Sequence, residues 1–176
     1  QNVKIGNYAG VNNFGLSRSV TIGSFAGFGA RGSYFKNGGT LGASTVTAIG
    51  YYAMYGASSS NAVAIGAYAG AFSASSDAIM IGKKAGYNNN GVNNILIGQY
   101  AAAGTSLSNS IAIGFEAGKL SGGSNNVFIG YGAGHFGSSH VTGSNKYILL
   151  PYSSSTFQSD TGYRFNLSSK RPQMII

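Results

Sequence analysis

Few side chains in this 176-residue sequence can move a proton or hold a metal. Asp77, Glu116 and Asp160 are the only carboxylates, His135 and His140 the only imidazoles, and cysteine is absent. Disulfides, zinc–thiolate sites and thiol catalysis are thereby excluded. Glycoside hydrolysis needs two carboxylates about 5–9.5 Å apart, and three scattered acids offer few such pairs. Ser138, Ser139 and His140 adjoin in a glycine-rich stretch. A Ser-His-acid arrangement also needs a buried, oriented imidazole backed by an acid, and no acid is near in sequence. His135 and His140, five residues apart, read as loop residues rather than metal ligands. No catalytic residue, metal ligand or cofactor is assigned, and the chain is expected not to be an enzyme.

Charge narrows the partners. Eleven basic residues against three acidic ones give a net charge of +8. They are scattered, with Lys83-Lys84 and Lys170-Arg171 the only adjacent pairs. Nucleic-acid binders gather their cations on one face or helix, so no nucleic-acid partner is expected. The excess reads as solubility or weak attraction to anionic surfaces. No apolar run approaches the roughly 18 residues that span a bilayer, so no membrane insertion is expected.

The framework that must position these residues is a repeat. Ile-Gly occurs at Ile5, Ile22, Ile49, Ile65, Ile81, Ile97, Ile113 and Ile129, with spacings of 17, 27 and then five times 16. Alanine stands four residues after every one of these isoleucines, and a β-branched residue two before. Asn61, Asp77, Asn93, Asn109 and Asn125 stand four before the later ones. The alternation has period two, which is that of a strand and not of a helix. A glycine every few residues would also cost a helix about 1 kcal/mol each. Glycine after the isoleucine allows a sharp bend, and Asn or Asp before the strand suits a turn, bonding the local backbone. Sixteen residues are too few for a strand–helix–strand crossover and match one coil of a narrow β-solenoid. The fold class is all-β, a β-solenoid or β-roll of 16-residue coils.

Residues two apart on a strand share a face, so Val63 and Ile65 are expected to point inward. The residue between them would then face out. In the later coils that residue is Met80, Leu96, Ala112 or Phe128, and Met, Leu and Phe are types that a solvated face would not choose. Met80, Leu96 and Phe128 are assigned to packing between chains. Each coil's own core is small for the chain it must order, and association also protects open sheet edges.

The units Asn61 to Gly70 and Asn125 to Gly134 follow Asn-x-Val-x-Ile-Gly-x-x-Ala-Gly. They resemble the repeats of phage tail fibres that precede an endosialidase-type intramolecular chaperone. The closest stretch is Gly123 to Gly134, followed by Thr142-Gly-Ser-Asn-Lys-Tyr-Ile. The pattern is also similar to the left-handed β-roll heads of trimeric autotransporter adhesins, whose repeats of about 14 residues fit the 16-residue coil less well. The tail-fibre resemblance implies a homotrimer in a virion, joined to other fibre or tail proteins and contacting a host cell-surface glycan or outer-membrane protein. The alternatives are the head of a trimeric adhesin on a bacterial surface, or a self-assembling extracellular filament without a receptor.

The solenoid is expected over residues 1–149, with an irregular insertion within 28–45, and a non-repeating cap or link over 150–176. Tyr147 to Leu150 reads as a last strand, and more chain is expected before Gln1. Arg31, Tyr34, Phe35 and Lys36, on the glycine-rich insertion, are candidate receptor contacts; the competing reading tucks Tyr34 and Phe35 against the roll or a neighbouring chain. Tyr8, Phe25, Tyr51, Tyr52, Tyr68, Tyr100, Phe115 and Tyr131, just after Ile-Gly, form a ladder that is either packing or a carbohydrate-binding strip. Lys83-Lys84 reads as a solvated face and Glu116 as a surface substitution in the ladder.

Overall fold

The computed structural model describes residues 1–12, 18–29 and 45–135, together with the backbone of three further short strands. Each β-branched–x–Ile unit forms a strand of three or four residues. The strands are β1 (Val3–Ile5), β2 (Val20–Ile22), β3 (Val46–Ile49), β4 (Ala62–Ile65), β5 (Ile79–Ile81), β6 (Ile95–Ile97), β7 (Ser106–Ser108), β8 (Ile111–Ile113), β9 (Gly122–Ser124), β10 (Val127–Ile129), β11 (Ile148–Leu149), β12 (Arg164–Asn166) and β13 (Gln173–Ile175). Nine of them form one parallel sheet in the order β1-β2-β3-β4-β5-β6-β8-β10-β11. Equivalent residues pair from coil to coil, as Val63↔Ile79 and Ile65↔Ile81 do. β7 and β9 pair in parallel as a second sheet, and β12 and β13 pair antiparallel. The repeat domain is a β-solenoid of 16-residue coils. On either side of the insertion β2 and β3 pair directly, Val20 on Thr47 and Ile22 on Ile49, so the added residues leave the sheet uninterrupted.

The glycine after each isoleucine is required twice over. Gly66 has φ +129, and a Cβ there would lie 2.8 Å from the Gly82 carbonyl carbon of the next coil. Neither the dihedral nor the spacing admits a side chain. Asn61, Asp77, Asn93, Asn109 and Asn125 all adopt left-handed backbone, φ between +49 and +62, which Asn and Asp tolerate best after glycine. The Asn61 amide donates to Asp77 at 3.1 Å, and the Asn93 amide to Asn109 at 2.9 Å. These side chains bond to the next coil rather than to their own backbone.

The strand faces are the reverse of the sequence expectation. The middle residue points inward: Ala48, Ala64, Met80, Leu96, Ala112 and Phe128 are fully buried, with Thr21 at 1% exposure. The flanking Val and Ile point out, Ile5 at 57%, Ile79 at 40% and Ile129 at 43%. Met80, Leu96 and Phe128 therefore belong to the chain's own core and are not inter-chain contacts. The cause is the narrowness of the coil. Its interior already holds the alanine column from Ala9 to Ala133, leaving room for one strand side chain per coil and not two.

Volume inside is balanced within some coils and between neighbours in others. Ala64 with Gly70 and Ala112 with Gly118 are small at both inward positions, and Met54 and Met80 fill in beside Gly70 as Phe128 does beside Gly118. Where the strand carries Ala48, the residue after the column alanine is Met54. Where it carries Met80 or Phe128, that residue is Gly86 or Gly134. A Cβ on Gly86 would lie 2.5 Å from the Met80 sulfur, and one on Gly134 would overlap the Phe128 ring. Such interlocking is what dense packing demands. At the first coil, Lys4 takes the inward position. Its Nζ donates to the Gly10 carbonyl at 2.7 Å while its stem covers the end of the core, as amphipathic side chains do.

Polar groups complete the interior on the far side. Buried Asn89 accepts from Ser75 Oγ at 2.8 Å and donates to Thr105 Oγ1 at 2.7 Å. Buried Asn94 accepts from the Ser110 amide at 3.0 Å and donates to the Leu107 carbonyl at 2.5 Å. Each thus ties its coil to the next and satisfies groups that would be costly to bury unpaired. The equivalent Asn126 side-chain amide is buried with no partner among the described residues; it stands in the last regular coil before residues 136–147.

Candidate binding surfaces

The acids and imidazoles do not assemble a catalytic centre among the described residues. Asp77 is exposed on the asparagine column. Glu116 binds Lys119 at 2.5 Å and lies 3.2 Å from His135 Nδ1, a partly exposed ion pair of the kind that contributes about 1 kcal/mol or less. No group of three or more His, Cys, Asp or Glu is placed to share a metal ion among the described residues, and no helix there is long and apolar enough to cross a membrane. Arg31, Tyr34, Phe35 and Lys36 lie outside the described residues, as do Ser138, Ser139, His140 and Asp160.

Two apolar surfaces remain. The first is the outer face of the long sheet. Its two columns, from Val3 and Ile5 to Val127 and Ile129, contain sixteen positions filled only by Val, Ile and one Thr. In-register parallel pairing aligns each position with its counterpart in the next coil. The result is a flat strip of half-exposed aliphatic side chains with no charge in either column. Contiguous apolar surface of this kind marks an interaction site.

The second surface is the corner after Ile-Gly. The third residue past each isoleucine is left-handed in every coil, from Tyr8 at φ 55 through Tyr68 at φ 58 to Glu116 at φ 55. Bulky residues seldom adopt this backbone, and the coil-to-coil ladder holds it, the Tyr68 amide donating to the Tyr51 carbonyl at 2.9 Å. Tyr8, Phe25, Tyr52 and Tyr68 stack with centroids 5.1, 4.8 and 5.1 Å apart and planes within 20°. Their ring faces are thus spent on one another and their edges face solvent. Lys84 then takes the position, its Nζ 5.9, 5.5 and 5.4 Å from the rings of Tyr68, Tyr87 and Tyr100. It continues the stack as a cation–π link rather than standing free in solvent. Phe115 and Tyr131, one residue earlier in the coil, stack separately at 5.1 Å.

A second aromatic column, Phe28, Tyr55, Phe72 and Tyr87, runs beside the first, with neighbouring centroids 5.5 to 5.7 Å apart. Sequence reasoning missed it, although Phe28, Tyr55 and Phe72 follow the ladder residues Phe25, Tyr51, Tyr52 and Tyr68 by three or four residues. Burial in the stack raises the Tyr52 and Tyr68 hydroxyls above the usual phenol range, and Tyr51 beside both adds to the effect. Comparison of the chain with family models, curated proteins and solved structures found no match.

Proposed function

We propose that this chain is a structural and adhesive segment of a homotrimeric phage tail fibre, contributing to attachment at the host surface. The observation that carries the reading is the sixteen-position aliphatic face. A strip that keeps one pair of side chain types along its whole length fits a surface of the same length and period, and further copies of the chain supply one. Burying it against them removes apolar area from water at about 25 cal/mol per Å². Three-fold closure rests on the resemblance of the Asn-x-Val-x-Ile-Gly-x-x-Ala-Gly units to tail-fibre repeats, and the 16-residue coil favours that relative over the adhesin heads.

The role is a scaffold's and not an enzyme's. Few acids and a rigid hydrogen-bonded rod suit a shaft that carries contacts to a cell-surface glycan or outer-membrane protein and joins other fibre proteins in the virion. Sedimentation equilibrium tests the assembly. The expected mass is about three times the 17.9 kDa chain. A folded, stable monomer at micromolar concentration contradicts the reading.

A further inference from the structure

The second aromatic column encloses an open depression of about 380 Å³ lined by Phe28, Gly29, Tyr55, Gly56 and Phe72. Phe28 and Tyr55 stack along one side, 5.5 Å apart and 8° from parallel. Phe72 is turned 75° to Tyr55 and is 47% exposed. The floor is open because two successive coils carry glycine at a position that elsewhere holds Asn12, Phe72, Asn88, Gly104 or Leu120. All of these share left-handed backbone, φ between +52 and +69, so the backbone alone does not demand glycine there. A Cβ added to Gly56 would lie 3.2 Å from the Phe72 ring, while one on Gly29 would meet nothing within 4 Å.

We infer that this depression is a subsite for a neutral sugar ring of a surface glycan, an assignment that rests on the attachment role proposed above. Its lining is the argument. A protein partner is better matched by the long aliphatic face, whereas this depression has no aliphatic wall and lies at the small end of the range for small-molecule sites. Phe28 and Tyr55, stacked on one another, bound the depression with their edges, while Phe72, half exposed, offers its ring to the C–H face of a pyranose and excludes water from it. The Tyr55 hydroxyl supplies a polar handle on an otherwise apolar wall. Among the described residues no charged group lines the depression, and Lys84, on the same aromatic edge, is engaged by Tyr68, Tyr87 and Tyr100. The preferred sugar is therefore uncharged.

The test uses the whole chain with maltohexaose, cellohexaose, mannohexaose and chitohexaose as neutral probes and polygalacturonate as the anionic one. Binding is read by saturation-transfer NMR and by tyrosine fluorescence, which no tryptophan obscures. At least one neutral hexaose should bind, and Gly56→Asn and Phe72→Asn should each weaken it about tenfold or more, about 1.4 kcal/mol. Asparagine already occupies this coil position at Asn12 and Asn88, so both variants should keep the wild-type circular dichroism and sedimentation mass. Failure of every neutral hexaose at millimolar concentration overturns the inference. So does binding undiminished in both folded variants, or binding of polygalacturonate alone. Sedimentation of the same samples separates the two claims: a monomer that binds sugar refutes the fibre and keeps the subsite, and a trimer that binds none does the reverse.

Discussion

The sheet face between Val3–Ile5 and Val127–Ile129 presents nearly the same pair of side chains in every coil, while the corner beside it runs from stacked tyrosines through Lys84 to the Glu116–Lys119–His135 cluster. Both surfaces are apolar over much of their length, and both are carried on the same hydrogen-bonded ladder. A face that repeats without variation cannot distinguish one coil from the next, which suits contact with an identical rod. A corner whose chemistry changes along the axis can carry a discrete contact at one place, and it does so where two glycines open the floor beside Phe72. The rigid repeat supplies the scaffold on which such a local departure is held in position.

The sharpest way to break this comparison is a pair of adjacent substitutions on one strand. Leu96→Asp places an unpaired charge in the closed core and should abolish the β-sheet signal in circular dichroism. Even Leu96→Ala should cost about 2–5 kcal/mol. Ile95→Asp, one residue away on the open face, should keep the β-sheet signal and lower the sedimentation mass instead. If Ile95→Asp unfolds the chain and Leu96→Asp only dissociates it, the faces have been assigned backwards.

That assignment was the part of the fold that the sequence did not show. The strict 16-residue period, Gly66 and its equivalents, and the asparagine column were legible, because each follows from a local backbone requirement. A period-two pattern only says that Val63 and Ile65 share a face. It does not say which face, and here both are apolar. The deciding signal lay in volumes: the large Met54, Met80 and Phe128 are offset by alanine or glycine at inward positions of their own or the adjacent coil, namely Ala48, Gly70, Gly86, Gly118 and Gly134, as residues sharing a closed space must be. The Val and Ile columns show no such exchange, which is the mark of an open face. The second aromatic column was hidden for another reason. Phe72 sits one residue later in its coil than Phe28 and Tyr55 do in theirs, so it joins the column only through three-dimensional packing.

A smaller effect sharpens the account of the aromatic corner. The folded chain holds the Tyr52 and Tyr68 protons more tightly than a free phenol, whose ordinary pKa is 10.0. The associated stability is complete below pH 10 and is lost as pH rises through the raised values. Melting temperature should fall above pH 10, and the Tyr52→Phe, Tyr68→Phe double variant should lose less over the same interval. Equal losses in the two proteins would remove the tyrosine stack from the explanation.

The outward-facing aliphatic strip is tested most directly by a single introduced thiol, since the chain has no cysteine of its own. Ile97 lies on that strip and Lys83 is exposed away from it. On mild oxidation of dilute protein, Ile97→Cys should form a disulfide-linked pair of chains within the assembly while Lys83→Cys stays uncrosslinked. An assembled protein in which Lys83→Cys cross-links and Ile97→Cys does not would contradict the account.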